Sequence, residues 1–256
     1  MILKRITMYD NNNQNNIEWY RSRLGYITGS AVGNIMGTPR SKSEEWTTTA
    51  QSYLNVIAFE RTLNPIVVQN DDLFSEYLSI TEVHNKILDW GHTMEGEAAH
   101  LFAKTFNIKY GDGSNTPIEL DEPPSVKSDS LPNFSSSPDR MYYDNEAKAF
   151  YAIEIKCPLA QNFIKFVKNV FTQDTYEEKL AGLKKAEANY YWQCFAHMAV
   201  TGATKTYFVV YNPFMRKPLY SLEILRDEDV IRELSDKVIK ADKYVCSLVD
   251  KMMNAN

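Results

Sequence analysis

At 256 residues the chain is long for one average domain and short for two, so one domain with insertions is expected, over 17–256, after a flexible polar segment at 1–16. Apolar residues at 44% and charged residues at 24% match a chain that buries a full core, which excludes wholesale disorder. A net charge of −5 excludes a protein that grips nucleic acid over its whole surface, because phosphate neutralisation needs clustered Lys and Arg; any basic groove is local.

The start, MILKRITMYDNNNQNN, lacks the apolar core of a signal peptide, and no apolar run approaches the ~20 residues that span a bilayer. A soluble intracellular protein is expected, in the cytoplasm of its host, or in the nucleus if that host is eukaryotic. Cys157, Cys194 and Cys246 form no CxxC pair and read as buried free thiols of a reducing compartment. From Ile17 a short helix is predicted, then a turn at Gly25, with Thr28 or Ser30 as N-cap for the AVGNIM run. Helices follow over 41–64 and 71–88, broken at Asn64-Pro65 and at 70–72, and another over 90–106 that places Glu95 and Glu97 on different faces.

Turn residues crowd 111–138, with short strands predicted at 117–120 and around Phe134. FYAIEIKC at 150–157, TYFVVY at 206–211 and LYSLEIL at 219–225 have β-branched and aromatic strand character. Helical patterns occupy 160–171, 174–200 and 228–252, so the chain belongs to the mixed α/β classes. No internal repeat is present.

In AIEIKC, residues two apart share a face, so Glu154 and Lys156 project together while Ile153, Ile155 and Cys157 face the other side. A bare ExK is more often a surface ion pair. SSSPDR upstream changes that reading, because a proline fixes the backbone just before Asp139 at a strand end. Two carboxylates and a lysine then converge, with the Ile155 carbonyl as a further oxygen donor. Phosphodiester hydrolysis uses such a set: hard divalent cations take oxygen ligands, and a lysine orients or deprotonates water and offsets charge on the phosphate.

Four blocks in order, RLGYITGSAVGNIM (23–36), LDWGHTMEGEAAHLF (88–102), SSPDRM (136–141) with IEIKCPLAQNFIKF (153–166), and YYWQCFAHMAVTGATKTYFVVYNPFMRK (190–217), resemble the lambda exonuclease family of viral recombination nucleases. The resemblance implies the α/β restriction-endonuclease-like core of the PD-(D/E)xK nucleases, with a mixed central sheet flanked by helices. It implies Asp139 and Glu154 as metal ligands, Ile155 contributing its carbonyl, Glu95 as a further acidic group, Lys156 as the catalytic lysine, and Gln193 as a catalytic-site residue beside the centre that contacts phosphate or Lys156. It also implies a 5′-phosphate pocket of Arg23 and Ser30, with Ser137, and Trp19 near the DNA end. The expected activity is 5′-to-3′ digestion of linear double-stranded DNA with magnesium, manganese substituting, by a ring-shaped homotrimer that works with a single-strand annealing protein. A structure- or sequence-selective endonuclease and an inactive DNA-end-binding subunit stay open as alternatives.

The chain departs from that family in its Asp139-to-Glu154 spacing, with a longer hairpin at 144–149, and over 42–85. His84, His92, His100 and His197 show no paired ligand spacing and read as satisfied or exposed histidines. Arg21, Arg40 and Lys42 read equally as a DNA-binding patch or solvated charge, and Lys165, Lys168, Lys184 and Lys185 as a solvated helix face first.

Overall fold

The computed structural model describes Gln14, residues 16–81 and residues 86–255, with the backbone alone for 86–89. Its centre is a four-stranded mixed sheet in the order β4-β5-β6-β7, made of β4 (Arg140–Asp144), β5 (Ala149–Lys156), β6 (Lys205–Tyr211) and β7 (Leu219–Leu225). β5 is antiparallel to β4 and parallel to β6, and β7 closes the far edge antiparallel to β6. A parallel neighbour needs a long crossover. Here it runs through α6 (Ala160–Phe166), a π-helical turn (Val167–Phe171), α7 (Tyr176–Ala186) and α8 (Ala188–Thr201).

The alternation along β5 sorts its side chains into two layers. Tyr151, Ile153, Ile155 and Cys157 pack with Tyr207 and Val209 of β6 against Ala98, Phe102 and Phe106 of α5 (Lys86–Tyr110). Ala152 faces the larger core, where Phe195 and Met198 of α8 meet Leu234, Val238 and Val245 of α9 (Glu228–Met253) and Leu54 and Ile57 of α2 (Thr48–Arg61). Burial on both faces explains why β5 reads as a nearly continuous apolar run.

A second, three-stranded sheet, in the order β1-β3-β2, sits beside α8: β1 (Ile27–Thr28), β2 (Val126–Lys127) and β3 (Phe134–Ser136). Ahead of it, α1 (Ile17–Arg23) is capped by Asn16, whose Oδ1 accepts from Trp19 N at 2.8 Å, and the chain turns at Gly25 with φ +73°. Of the polar start, Gln14 is described, and its Nε2 donates to the carbonyls of Pro138 and Pro123 at 2.8 and 3.2 Å. Residues 1–13 and 15 lie outside the described residues.

Several sequence expectations need correction. The AVGNIM run forms a 3₁₀ turn (Val32–Ile35) whose cap position is Ala31, so neither Thr28 nor Ser30 is its N-cap; Thr28 belongs to β1. The helix expected over 41–64 starts only at Thr48, and α3 (Pro65–Gln69) and α4 (Asp71–Thr81) follow it, with 82–85 outside the described residues. Residues 117–120 form no strand and leave one bridge, Asp121 to Met141. The helix over 174–200 is two, broken where Glu187 is extended at φ −156°, ψ 91°. Cys157 and Cys194 are buried free thiols as expected, but Cys246 is exposed on α9. Among the described residues no helix is long and apolar enough to cross a membrane.

Two sheet tyrosines tie this frame to carboxylates. The Tyr151 hydroxyl donates to Asp144 Oδ2 at 2.8 Å, and that of Tyr211 to Glu97 Oε1 at 2.5 Å. Burial and then the carboxylate bond push each phenol up to about 12. A phenol raised in the fold favours folding fully below its unfolded value and loses that contribution as pH rises through the folded value. Stability is therefore expected to hold to roughly pH 10 and fall progressively towards pH 12, with tyrosinate absorbance appearing together with loss of circular dichroism.

Candidate active site

The β4–β5 hairpin builds the site. Its register pairs Arg140 with Ile153 and Asp144 with Ala149, so one further step places Asp139 opposite Glu154. The turn is held by Asp144, whose Oδ1 accepts from the amides of Glu146 and Ala147 at 2.9 Å each, while Lys148 takes a positive φ of 54°. The 14 residues between Asp139 and Glu154 are thus spent on two paired strands and a tight loop. Asp139 leaves the ladder just before β4, and its Oδ2 accepts from Ile155 N at 2.6 Å.

Glu154 has no exposed surface. Its Oε1 meets Lys156 Nζ and its Oε2 lies 2.6 Å from His197 Nε2. A carboxylate only accepts, so Nε2 carries the proton and donates. The other ring nitrogen, Nδ1, lies 2.8 Å from Ser136 Oγ, within hydrogen-bond distance. A buried line therefore runs Lys156, Glu154, His197, Ser136 from cavity wall to second sheet. Burial raises the Glu154 carboxyl, but Lys156 and His197 outweigh that and hold it below its usual value. Asp139 shows the reverse: burial, reinforced by the Glu154 charge, pushes it well up despite Lys156. Lys156 is raised, because the Glu154 and Asp139 charges outweigh its burial, and it sits 4.9 Å from the Tyr190 ring centroid.

Glu95 reaches the same place from α5, its Oε1 accepting from Arg140 Nη1 at 2.8 Å; burial raises it against the pull of Arg140. Arg140 also donates to the Asp139 carbonyl at 2.5 Å, so one guanidinium joins the two acidic residues. Glu97, on another face of α5, binds Tyr211 instead. Asp139, Glu95, Ile155, Lys156 and Tyr190 line a cavity of about 310 Å³. Gln193 is 5% exposed, on α8 between Tyr190 and His197, and does not line it.

The oxygen donors suit a hard divalent cation. Asp139, Glu154 and Glu95 are three carboxyl groups against the two cations Lys156 and Arg140, and an ion there would offset the burial and the Glu154 charge that together raise Asp139. In the side-chain positions described, Lys156, His197 and Arg140 occupy the carboxylates, and among the described residues no three His, Cys, Asp or Glu side chains form a ready metal cluster.

Next to this cavity lies a larger one of about 790 Å³, lined by Trp19, Arg23, Thr28, Ser30, Tyr53 and others, and exposed His92 lines both. Arg23 Nη2 donates to Ser30 Oγ at 3.2 Å, and its Cζ sits 3.8 Å from the Trp19 ring centroid. Ser137 is not on that wall, and its buried Oγ has no hydrogen-bond partner among the described residues. Arg21 belongs to neither cavity; it pairs with Glu18 and with Asp71 at 2.6 Å. His100 is exposed, and His84 lies outside the described residues.

Sequence reasoning missed His197, Ser136, Arg140 and Tyr190. The one signal for His197 was its position, one helical turn beyond Gln193 on the same face. Gly29 was missed too: a Cβ there would stand 2.1 Å from Ser136 Oγ and 3.3 Å from Ala196 Cβ, so the bare backbone admits the serine to the histidine. His197→Ala removes the partner of a buried carboxylate and is expected to cost about 2–4 kcal/mol in chemical denaturation. In a double-mutant cycle with Glu154→Gln the two losses should be far from additive; additive losses would mean the contact carries no stability.

The sequence matches no curated protein. The structure is similar to the alkaline exonuclease LHK-Exo of Laribacter hongkongensis, with TM-score 0.65 and 20% identity over 93% of this chain and 96% of that one. Its complex with dAMP gives 0.66 and 21% over the same shares. A phage related exonuclease from Haemophilus somnus 129PT gives 0.59 and 18%, over 89% and 96%. At these identities the likeness establishes the fold, which is that of the PD-(D/E)xK-like alkaline exonucleases. Residues 18–204, well over half of the chain, match the YqaJ-like viral recombinase domain, and the chain belongs to that family.

Proposed function

We propose that this protein is a DNA exonuclease that digests linear double-stranded DNA from a 5′-phosphorylated end, with magnesium, or manganese in its place, releasing mononucleotides and leaving 3′ single strands. The observation that carries the reading is the pair of adjoining cavities. One holds Asp139, Glu95 and Lys156, the other Arg23 and Ser30, and His92 borders both. A site for a terminal phosphate next to a site for the scissile one favours hydrolysis near an end over cutting within a duplex.

In this reading the 5′-phosphate is held by the Arg23 fork and the Ser30 hydroxyl, a charge-assisted arrangement that Trp19 keeps in place by packing under the guanidinium. Asp139, Glu154 and the Ile155 carbonyl, with Glu95 nearby, would hold the magnesium ion. When bound, the ion polarises the phosphate and lowers the pKa of its water. Lys156, set between two carboxylates, acts as a fixed cation that orients water and offsets charge on the phosphate oxygens. His197 and Ser136 keep the Glu154 carboxylate in place, and Gln193 supports that helix face beside them. Ser137, off the Arg23 wall, has a secondary part at most. The same reading carries a ring-shaped homotrimer, a single-strand annealing partner and work inside the host cell, in cytoplasm or nucleus.

Linear duplex with and without a 5′-phosphate, alongside covalently closed circles, in magnesium and in EDTA, tests the proposal. Only the linear duplex should disappear, faster with the phosphate, and EDTA should stop it. Lys156→Ala should lower the rate by about a hundredfold or more, and Arg23→Ala should remove most of the advantage of the phosphate. Nicking of the circle would indicate an endonuclease, and end binding without hydrolysis in any divalent ion an inactive end-binding subunit.

A further inference from the structure

The loop between β6 and β7 presents an unusual exposed aromatic. Phe214 is 80% exposed, followed by exposed Met215, Arg216 and Lys217. A phenyl ring this open is normally free to collapse onto its own loop. Here hydrogen bonds fix the loop and a second ring holds the phenyl in place. Asn212 is 5% exposed; its Oδ1 accepts from Phe214 N at 3.1 Å, its carbonyl from Met215 N at 3.2 Å, and its Nδ2 donates to the Pro158 carbonyl at 2.9 Å. One face of Phe214 is stacked on Trp90, with centroids 5.6 Å apart and planes 17° from parallel. Trp90 is itself fixed, its Nε1 donating to the Cys157 carbonyl at 3.1 Å.

These anchors tie the loop to the catalytic cavity. Cys157 and Pro158 line that cavity directly after Lys156, and Gly91 and His92 line it directly after Trp90. The ring is thus an anchored aromatic plate at the cavity rim, on a loop that goes on to exposed Arg216 and to Lys217, whose ammonium lies 4.3 Å from the Tyr220 ring centroid. Aromatic plates flanked by cations match single-stranded nucleic acid, whose bases stack on the ring while the phosphates meet the charge.

We propose that Phe214 stacks on an unpaired base of the DNA strand next to the catalytic cavity, with Arg216 against a neighbouring phosphate. The inference rests on the nuclease reading and adds a base-holding element to it. The occupant is a DNA base rather than a second protein because the exposed ring belongs to a loop that carries Arg216 and Lys217, next to the cavity that the nuclease reading assigns to the scissile phosphate.

The test uses the full-length protein and a 5′-phosphorylated duplex carrying 2-aminopurine at successive positions from the end, with calcium in place of magnesium to hold the complex uncut. The wild-type protein should quench the fluorescence of at least one position. Phe214→Ala should abolish that quench and weaken binding about tenfold, while Phe214→Trp keeps both, and Arg216→Ala weakens binding without removing the quench. Circular dichroism and melting unchanged in Phe214→Ala would exclude misfolding as the cause. If Phe214→Ala binds and quenches like the wild type, the stacking inference is overturned while cleavage of linear duplex by the wild type leaves the nuclease reading standing. If Phe214→Ala instead changes only the sedimentation of the protein, the plate is a contact between copies of this chain and the inference is again overturned. A wild type that neither binds nor cuts duplex overturns both.

Discussion

A carboxylate with no exposed surface, on the second strand of a four-stranded sheet, sets the terms for the rest of this structure. Burying Glu154 without compensation would protonate it or unfold the strand, since an isolated ion pays several kcal/mol to leave water. The protein surrounds it instead. Lys156 supplies charge from the same strand, and His197 supplies a directed hydrogen bond from the helix packed across that face. The second ring nitrogen of the histidine meets Ser136 from a different sheet, and Ser136 reaches it because residue 29 has no side chain. Four separate elements are thereby fixed around a single ionised group.

This arrangement also explains which parts of the site were legible in the sequence. Glu154, Lys156 and their shared face follow from strand periodicity, which is local, and Asp139 follows from a proline-marked strand end. The central sheet and its flanking helices were legible for the same reason. His197 was not, because a histidine on an apolar helix face carries no sign of what it will meet; its role exists only once α8 has crossed β5. Arg140 stands next to Asp139 in sequence, yet its function is to join that residue to Glu95, 45 positions away.

The misread elements have comparable causes. Strands β1 and β2 are two residues long, shorter than any window in which alternation can be seen, and they exist because each pairs with β3, the short strand that was legible around Phe134. The break at Glu187 has neither Gly nor Pro at it; the capping box of Thr175 with Glu178 announces the first helix, but its end is set by tertiary packing. Cys246 looks like a core residue by type, yet α9 turns it outward beside Arg61 and Asp242, where Asp242 is held by Arg61 at 2.7 Å.

The hairpin register has a consequence for how such proteins are recognised. Asp139 faces Glu154 because the strands pair step by step outward from Asp144 and Ala149, so any number of residues added to the turn beyond that pair would leave the two carboxylates opposite each other. Chain separation between them is therefore free to drift among descendants of this fold, whereas a single residue gained inside either strand would swing an acidic group to the α5 side and empty the site. Evolution can lengthen the tip at no catalytic cost and cannot touch the ladder, so a search pattern with a fixed gap would reject intact nucleases, and one that reads pairing would keep them.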